Sequence, residues 1–489
     1  MHVQLRLDGK QPRRWHIGLL QALAALPGVT ASANAAPGPG ALPASTALLF
    51  RFESALHKIA PHHSAPVPAS ELAPFAPAGQ GRPELVIDLC GDVPNDGARL
   101  WRLLFSGTPG ETALLAALAG GQAPFVVLSE GARIITSARP GSERPDVLLA
   151  GFDDALGRVK ALILGAVRDG GRQAATPVPP DPGSTRSAPV FNPVKTATGQ
   201  IAAKLARRLE RLRYHKPHWR IGWRKLQGRD LYDLRQHPAS GWTDLPDDGQ
   251  RFYADPFPIE YQGKTILFAE EFPYATSKGI ISAVEFGPDG PLGTPQPVLE
   301  LPCHLSYPFV FGREGQMWMI PETSGAGTIE LFRAEKFPGG WVREAVLVSG
   351  LVAGDATLVE YGGTFWMFAT VQGEGGSYSD ALHLWSAPDF RGPWKPHPGN
   401  PVLIDKASAR SAGRMVQRGG ALLRPVQDCR AGYGSALGIA RILQLDGQGY
   451  EQKVETVLGP GPLWPGQGLH TLNSGGGFEF IDGVGRSRR

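Results

Sequence analysis

Four acidic residues, Asp255, Glu270, Glu322 and Asp355, recur at matching positions in similar stretches of the chain. Acids gathered in this way have a particular chemistry open to them. Cleavage of a glycosidic bond needs one carboxyl with a raised pKa, to protonate the leaving oxygen, and a second that is ionised, to act as base or nucleophile. Asp255, Asp355 and Glu322 are the candidate catalytic residues. Glu270, His304, Tyr307, Arg410, Arg424, Gln427, Asp428 and His470 lie close to them in sequence or in repeat position and are the candidate substrate-binding residues. Each has a plainer reading as well. An Asp before a strand caps its own turn, Arg410, Arg424 and Asp428 are also suited to ion-paired struts, and His304 and His470 to structural hydrogen bonds. Glu322 follows the apolar run Met317-Trp318-Met319-Ile320-Pro321, where a carboxylate without a role or a partner is costly. Phosphate-binding, dinucleotide, zinc-protease and nucleophile-elbow motifs are absent, so no cofactor and no metal site is expected.

These side chains must be presented by a repeated element. The segments YADPFPIEYQGKTILFAEEF from Tyr253, LSYPFVFGREGQMWMIPETS from Leu305, AGDATLVEYGGTFWMFATVQ from Ala353 and RSAGRMVQRGGALLRPVQDC from Arg410 share one pattern. Each reads as a strand, a glycine-containing turn and a second strand rich in aromatic or aliphatic residues. Placing Asp255, Tyr307, Asp355 and Ala412 in one column puts Glu270, Glu322, Thr370 and Gln427 in another, at the same interval each time. The columns recur after roughly 50 residues, a length that suits four-stranded propeller blades. A fifth, shorter copy starts near His470, and WRIGWRKL at 219–226 is placed to supply its missing strand and close the ring. Neighbouring strands run antiparallel, so the start of the first and the end of the second lie at one end of a blade. Both columns are therefore expected around one mouth of the central channel.

The remaining chain divides by composition. Residues 1–170 alternate strand-like and helix-like runs and predict an α/β domain with a mostly parallel sheet. Residues 171–200 are dense in Pro, Gly, Ser and Thr and read as a linker. Residues 201–216 read as a basic amphipathic helix, with Ile201, Leu205, Leu209 and Leu212 on one stripe, and 217–489 as the five-bladed β-propeller. A chain of 489 residues with 63 Gly, 45 Pro, 11 Trp and 42% hydrophobic residues is too apolar for wholesale disorder and fits a turn-rich β-protein. The net charge is +4, but Lys204 to Arg229 alone holds ten Lys/Arg and one acid, so the basicity is local. That stretch is a candidate contact for an anionic surface, its plainer reading being a solvated helix face; nucleic acid is not expected as a partner. Three widely spaced cysteines, Cys90, Cys303 and Cys429, argue against a disulfide framework. A cytoplasmic protein is the resulting expectation, since no apolar run reaches about 18 residues.

At YADPFPI, HLSYPFVF, MIPETS, GDATLV and RPVQDC the sequence resembles a known family. Residues from about 215 to 485 are similar to the five-bladed propeller at the N-terminus of plant glucosamine inositolphosphorylceramide transferases. That propeller also occurs in bacterial proteins associated with surface-polysaccharide genes, and its fold resembles the five-bladed glycosidase clan. The resemblance implies a general base at Asp255 and a further acid at Asp355; the second blade departs from it, with Tyr307 in the column and Glu322 on a second strand. In the plant proteins glycosyl transfer is attributed to a separate domain, which this sequence does not contain. Residues 1–170 resemble a formyltransferase-like α/β domain through WRLLFSGTPGETALLAAL from Trp101, without that family's Asn, His and Asp arrangement. The expected function is a propeller that binds a carbohydrate or glycoconjugate at its channel mouth and is equipped to hydrolyse it. The alternatives are a non-hydrolytic recognition module of polysaccharide assembly and a scaffold.

Overall fold

The computed structural model describes the chain apart from residues 39–41, 78–80, 95–96, 172–193, 195, 203, 205, 207–213, 216, 486 and 489. It divides into two compact units. One comprises Met1–Ala206 with Glu374–Asp380 and Leu403–Asp405, and the other the remaining residues.

The first unit is built on a sheet in the order β2 (Thr30–Ala36), β1 (His2–Asp8), β3 (Leu85–Asp88), β4 (Arg99–Phe105), β6 (Val126–Glu130), β7 (Arg133–Ala138), with the short β5 (Thr108–Pro109) on β4. β1, β2, β3 and β4 pair in parallel, whereas β6 and β7 are antiparallel. The sheet is therefore mixed, where the run of apolar segments predicts a mostly parallel one. Strands sealed on both faces read as continuous apolar runs whichever way they run, so the pattern does not encode direction. Helices α1 (Arg14–Ala24), α2 (Ala44–His57), α3 (Glu111–Ala119) and α4 (Leu148–Arg168) cover it. Trp15, Leu19, Leu20 and Leu23 of α1 are buried in the same core as Phe152, Leu156, Val159 and Ile163 of α4. The linker expected at 171–200 and the basic stripe of 201–216 lie largely outside the described residues, although the described positions from Val194 to Ala206 are helical, so the helix begins earlier than 201. Among the described residues no helix is long and apolar enough to cross a membrane.

The second unit is a five-bladed propeller. Blade one runs through Arg251–Tyr261, Lys264–Pro273 and Ile280–Gly287, with Gln296–Leu299 at its edge. Blade two is Ser306–Arg313, Gln316–Thr323, Thr328–Lys336 and Gly339–Ser349. Blade three is Val352–Tyr361, Thr364–Gln372, Ala381–Ala387 and Lys395–Pro396; blade four is Val416–Arg418, Ala421–Asp428, Ala436–Leu445 and Tyr450–Leu458. In blade five the C-terminal strands Leu472–Gly475 and Phe478–Val484 take up Trp219–Lys225, with Thr243–Asp244 outside it, so that the two ends of the propeller close the ring.

The first strand of each of blades one to three is broken by a bulge at one position. Pairing skips from Ala254 to Phe257, from Ser306 to Phe309 and from Gly354 to Thr357. The residue just inside each bulge is left-handed, with φ of 51° at Asp255, 43° at Tyr307 and 54° at Asp355. Three non-glycine residues held in that region at one repeat position mark a feature maintained against local strain, since bulges re-aim side chains and strained backbone clusters at functional sites. The paired residues just before the bulges, Ala254 and Ser306, face Glu270 and Glu322, which brings the two columns together.

Candidate functional site

A cavity of about 590 Å³ opens at this end of the propeller, a size typical of small-molecule sites. Asp255, Glu270, His304, Glu322, Arg410 and His470 line it, from four of the five blades or the loops that lead into them. Aromatic side chains are interleaved with these residues in the lining. Phe252 and Phe272 stack 4.9 Å apart with a 3° interplanar angle, and Trp219 stacks on His470 at 4.0 Å. Tyr433 meets the His470 ring edge-on at 5.4 Å and remains half exposed.

Asp255 sits in a bracket of donors. Its Oδ2 accepts the Tyr307 N–H at 3.0 Å and its Oδ1 accepts the Thr471 hydroxyl at 3.1 Å, while its own N–H donates to Asp482 Oδ2 at 2.8 Å. Burial raises its pKa to about 6, with His470 opposing the rise and the charges of Asp482 and Asp355 adding to it. The His470 Nδ1 lies 2.6 Å from Asp482 Oδ1, and its Nε2 lies 3.6 Å from Asp255 Oδ1. Burial pulls the imidazole pKa down, but the charge and hydrogen bond of Asp482, then Asp255, outweigh it and the net shift is upward. Among the described residues, Asp255, His470 and Asp482 offer atoms within 4.8 Å of one another and so form a group able to hold a cation. They are engaged with one another instead, the His470 ring standing between two carboxyl groups, and a metal would have to displace those contacts.

Glu322 is the counterpart on blade two. Its Oε2 accepts the Asp355 N–H at 3.2 Å, its Oε1 accepts the Ser324 hydroxyl at 2.8 Å, and Arg410 Nη2 stands 3.6 Å away. Burial, then the Asp355 charge, lift its pKa from 4.5 to about 7, and Arg410 works against them. The folded value lies above the unfolded one, so Glu322 favours the folded state at acid pH and that contribution is lost as pH rises through about 7. The melting temperature of the wild type should consequently fall relative to that of Glu322→Gln between pH 4.5 and about 7. Parallel melting curves across that window would show that Glu322 ionises freely in the fold.

Several expected residues serve the cavity from behind. Asp355 accepts Arg410 through Nε at 2.6 Å and Nη2 at 3.2 Å, and Gln427 Nε2 donates to it at 2.8 Å, so Asp355 and Gln427 fix the guanidinium rather than line the cavity. Tyr307 supplies the backbone N–H under Asp255, but its ring is fully buried. Its hydroxyl accepts the Gly413 N–H at 2.8 Å and meets Thr357 Oγ1 at 2.8 Å, and the ring packs on Phe257 at 4.7 Å. Tyr307 thus bridges blades one, three and four across the middle of the ring instead of binding a ligand.

Two expected residues do not belong to the site. Arg424 is buried and donates to the carbonyls of Ser408 and Ala409 and to Gln452, a strut within blade four. Asp428 pairs with Arg430 at 2.6 Å, and its carbonyl accepts the Ser435 hydroxyl at 2.6 Å, which shapes the connection that carries Tyr433. Both lie an odd number of steps from Gln427 along one strand, and alternate side chains of a strand point to opposite faces. The basic stretch 204–229 is also partly engaged: Arg220 pairs with Asp244 at 2.6 Å and Arg224 with Glu479 at 2.6 Å.

Residues 245–462 match the family described as glucosamine inositolphosphorylceramide transferase 1, N-terminal. The match includes Asp255, Glu270, Glu322, Asp355, Arg410 and Tyr433 and ends before His470 and Asp482. Relatives named glucosamine inositolphosphorylceramide transferase 1 are 34% identical over 250 residues in Oryza sativa subsp. japonica, covering 47% of this chain and 33% of the relative, and 34% identical over 206 residues in Arabidopsis thaliana, covering 41% and 27%. The chain spans about a third of the length of these relatives or less. Similar solved structures include a family 117 glycoside hydrolase of Zobellia galactanivorans, with 13% identity, TM-score 0.35 and coverage of 55% of this chain and 91% of that one. A GH43 β-xylosidase/α-arabinofuranosidase from a compost metagenome has 14% identity, TM-score 0.35 and coverage of 46% and 83%. The family match leaves residues 1–244 aside, and the formyltransferase-like reading of the first unit stays a proposal.

Proposed function

We propose that the propeller binds a carbohydrate or glycoconjugate in the cavity at its channel mouth and hydrolyses a glycosidic bond there. The observation that carries this reading is the convergence of two buried carboxyls, Asp255 and Glu270, and the nearly buried Glu322 on one cavity that aromatic side chains also line. A scaffold has no use for such a cluster, because buried acids without a role are a standing cost to the fold. Aromatic rings beside polar acceptors suit a sugar ring, which presents apolar C–H groups on its face and hydroxyls at its rim.

The charge of the lining sets which sugars fit. Arg410 is held by Asp355 and Glu322, and His470 by Asp482, so neither side chain is left over for a ligand anion. Neutral or amine-bearing sugars are expected to bind, and uronates and sugar phosphates at least tenfold more weakly. An added repulsion of about 1.4 kcal/mol is enough for a tenfold difference. A glycan-binding screen with purified full-length protein, followed by measurement of reducing-end release, tests both parts. Preferential binding of acidic glycans would overturn the charge argument, and binding without reducing ends from any ligand would overturn hydrolysis. In that last case the protein acts as a recognition module, a reading favoured by one observation: the family match is to the N-terminal part of proteins named as transferases.

A further inference from the structure

Glu270 differs from every other acid at the channel mouth in forming no hydrogen bond through its carboxyl among the described residues. It stands in Lys264–Pro273 opposite Ala254, is 8% exposed, and lines the cavity. Its neighbour Glu271, on the other face of the same strand, shows how a structural acid is satisfied in this blade. Glu271 receives Arg251 Nη1 at 2.5 Å and the Ser282 hydroxyl at 2.5 Å. Glu322 likewise collects an N–H, a hydroxyl and a nearby guanidinium. Donors of that kind stabilise the ionised form, and their absence leaves the neutral acid favoured. The nearest charged partner of Glu270 is His304, whose Nε2 lies 3.4 Å from Oε1. His304 Nδ1 accepts the Gly279 N–H at 2.9 Å and burial lowers its pKa, which favours the neutral ring; its Nε2–H then lies on the Glu270 side, at a separation too long for a strong hydrogen bond. Burial, and then the carboxylates of Asp255, Glu322, Asp482 and Asp355, hold the Glu270 proton well above the usual glutamate range.

We propose that Glu270, not Glu322, is the proton donor of this cavity, and that Glu322 is a positioning residue for Arg410 and the blade-three bulge. The assignment rests on the hydrolytic reading above. In the step it implies, the bond between the anomeric carbon and the leaving oxygen breaks with its electron pair going to that oxygen. The oxygen takes the proton released from Glu270. Water adds to the anomeric carbon and gives its proton to Asp255. One O–H bond is lost at Glu270 and one is gained at Asp255, water is the only co-reactant, and solvent restores both groups after the products leave.

Two measurements on the full chain test the proposal. In the first, glutamate labelled with carbon-13 at the side-chain carboxyl reports protonation by NMR. One resonance is expected to stay protonated to higher pH than that of Glu322, which titrates at about 7; it is present in the wild type and in Glu322→Gln and missing in Glu270→Gln. No such resonance, or its loss in Glu322→Gln instead, overturns the assignment whether or not the protein is an enzyme. In the second, aryl glycosides with a good leaving group, 2,4-dinitrophenolate, are compared with those carrying a poor one, phenolate. Glu270→Gln should slow the poor leaving group by about 100- to 10,000-fold and the good one far less, while Glu322→Gln slows both alike. If the leaving-group dependence follows Glu322→Gln, the proposal fails and hydrolysis stands. If the wild type cleaves no glycoside in the panel, hydrolysis fails and the donor role with it. Should Glu270→Gln not fold, Glu270→Asp withdraws the acid by one methylene and is expected to show the same dependence on the leaving group.

Discussion

Asp255→Asn is expected to fold, to bind the same glycans as the wild type and to turn them over about 100- to 10,000-fold more slowly, the usual contribution of a general base. The fold should tolerate the change because the amide retains one oxygen for the Tyr307 N–H, and the Thr471 hydroxyl is free to rotate and accept from the new NH2 group. His470 keeps Asp482 at 2.6 Å, so the buried imidazole is not left without a partner. What disappears is the group able to take a proton from water. The same assignment fixes the acid side of the pH profile. A base with a pKa of about 6 must lose its proton before it works, so kcat/KM should rise through about pH 6 and then level off. Stability should respond in the opposite sense. The folded pKa of Asp255 lies above its unfolded value of 3.8, so its contribution favours the folded state below about pH 4 and is lost as pH rises through about 6. Asp255→Asn should therefore gain in melting temperature relative to the wild type as pH is raised across that window. An unchanged turnover would remove Asp255 from the chemistry, and an unfolded variant would make its bracket of donors structural.

The legible part of this site is its periodicity. A constant spacing between the two columns locates Glu270 and Glu322 because the hairpins of the first two blades have the same length. Asp482 escapes that spacing for the same reason. Leu472 pairs with Ile481 in a hairpin with the same two-residue turn but shorter arms, so the acid that follows falls at a shorter interval although it lies near the corresponding end of the second strand. Trp219 is not legible as a cavity residue, because it reaches blade five from the opposite end of the propeller sequence, through the strand that closes the ring. Tyr433 lies on a connection whose path is set by Asp428 and Ser435, contacts that strand periodicity does not report. Phe252 and Phe272 are within reach of the pattern, since they flank Asp255 and Glu270 and pair directly with each other across the two strands. Arg424 and Asp428 are near Gln427 in sequence but not in the site, since nearness along a strand turns into opposite faces at every odd step. In the first unit the order of strands and helices is readable, but not the turn from parallel to antiparallel pairing at β6.

Tyr307→Ala should give the largest loss of stability of any single substitution at the channel mouth. A Tyr in the column that holds Asp in blades one and three reads from sequence as a ligand contact, yet its ring is fully buried and ties blade two to three other blades. Truncation removes a large aromatic from a site that cannot collapse, because the surrounding strands are fixed by their own ladders; comparable Phe or Trp to Ala changes cost about 3–5 kcal/mol. It also leaves the buried Gly413 N–H without an acceptor. Tyr307→Phe isolates that second effect: it keeps the ring and loses only the hydroxyl, for which about 1–3 kcal/mol is expected. The propeller transition should therefore fall by roughly 10 °C or more in Tyr307→Ala and by clearly less in Tyr307→Phe, at about 2–4 °C per kcal/mol for a domain of this size. Ligand affinity of Tyr307→Phe should stay close to that of the wild type, since the hydroxyl faces Thr357 and Gly413 and not the cavity. A variant that melts like the wild type but loses sugar binding would return Tyr307 to the binding site and open the channel below Asp255.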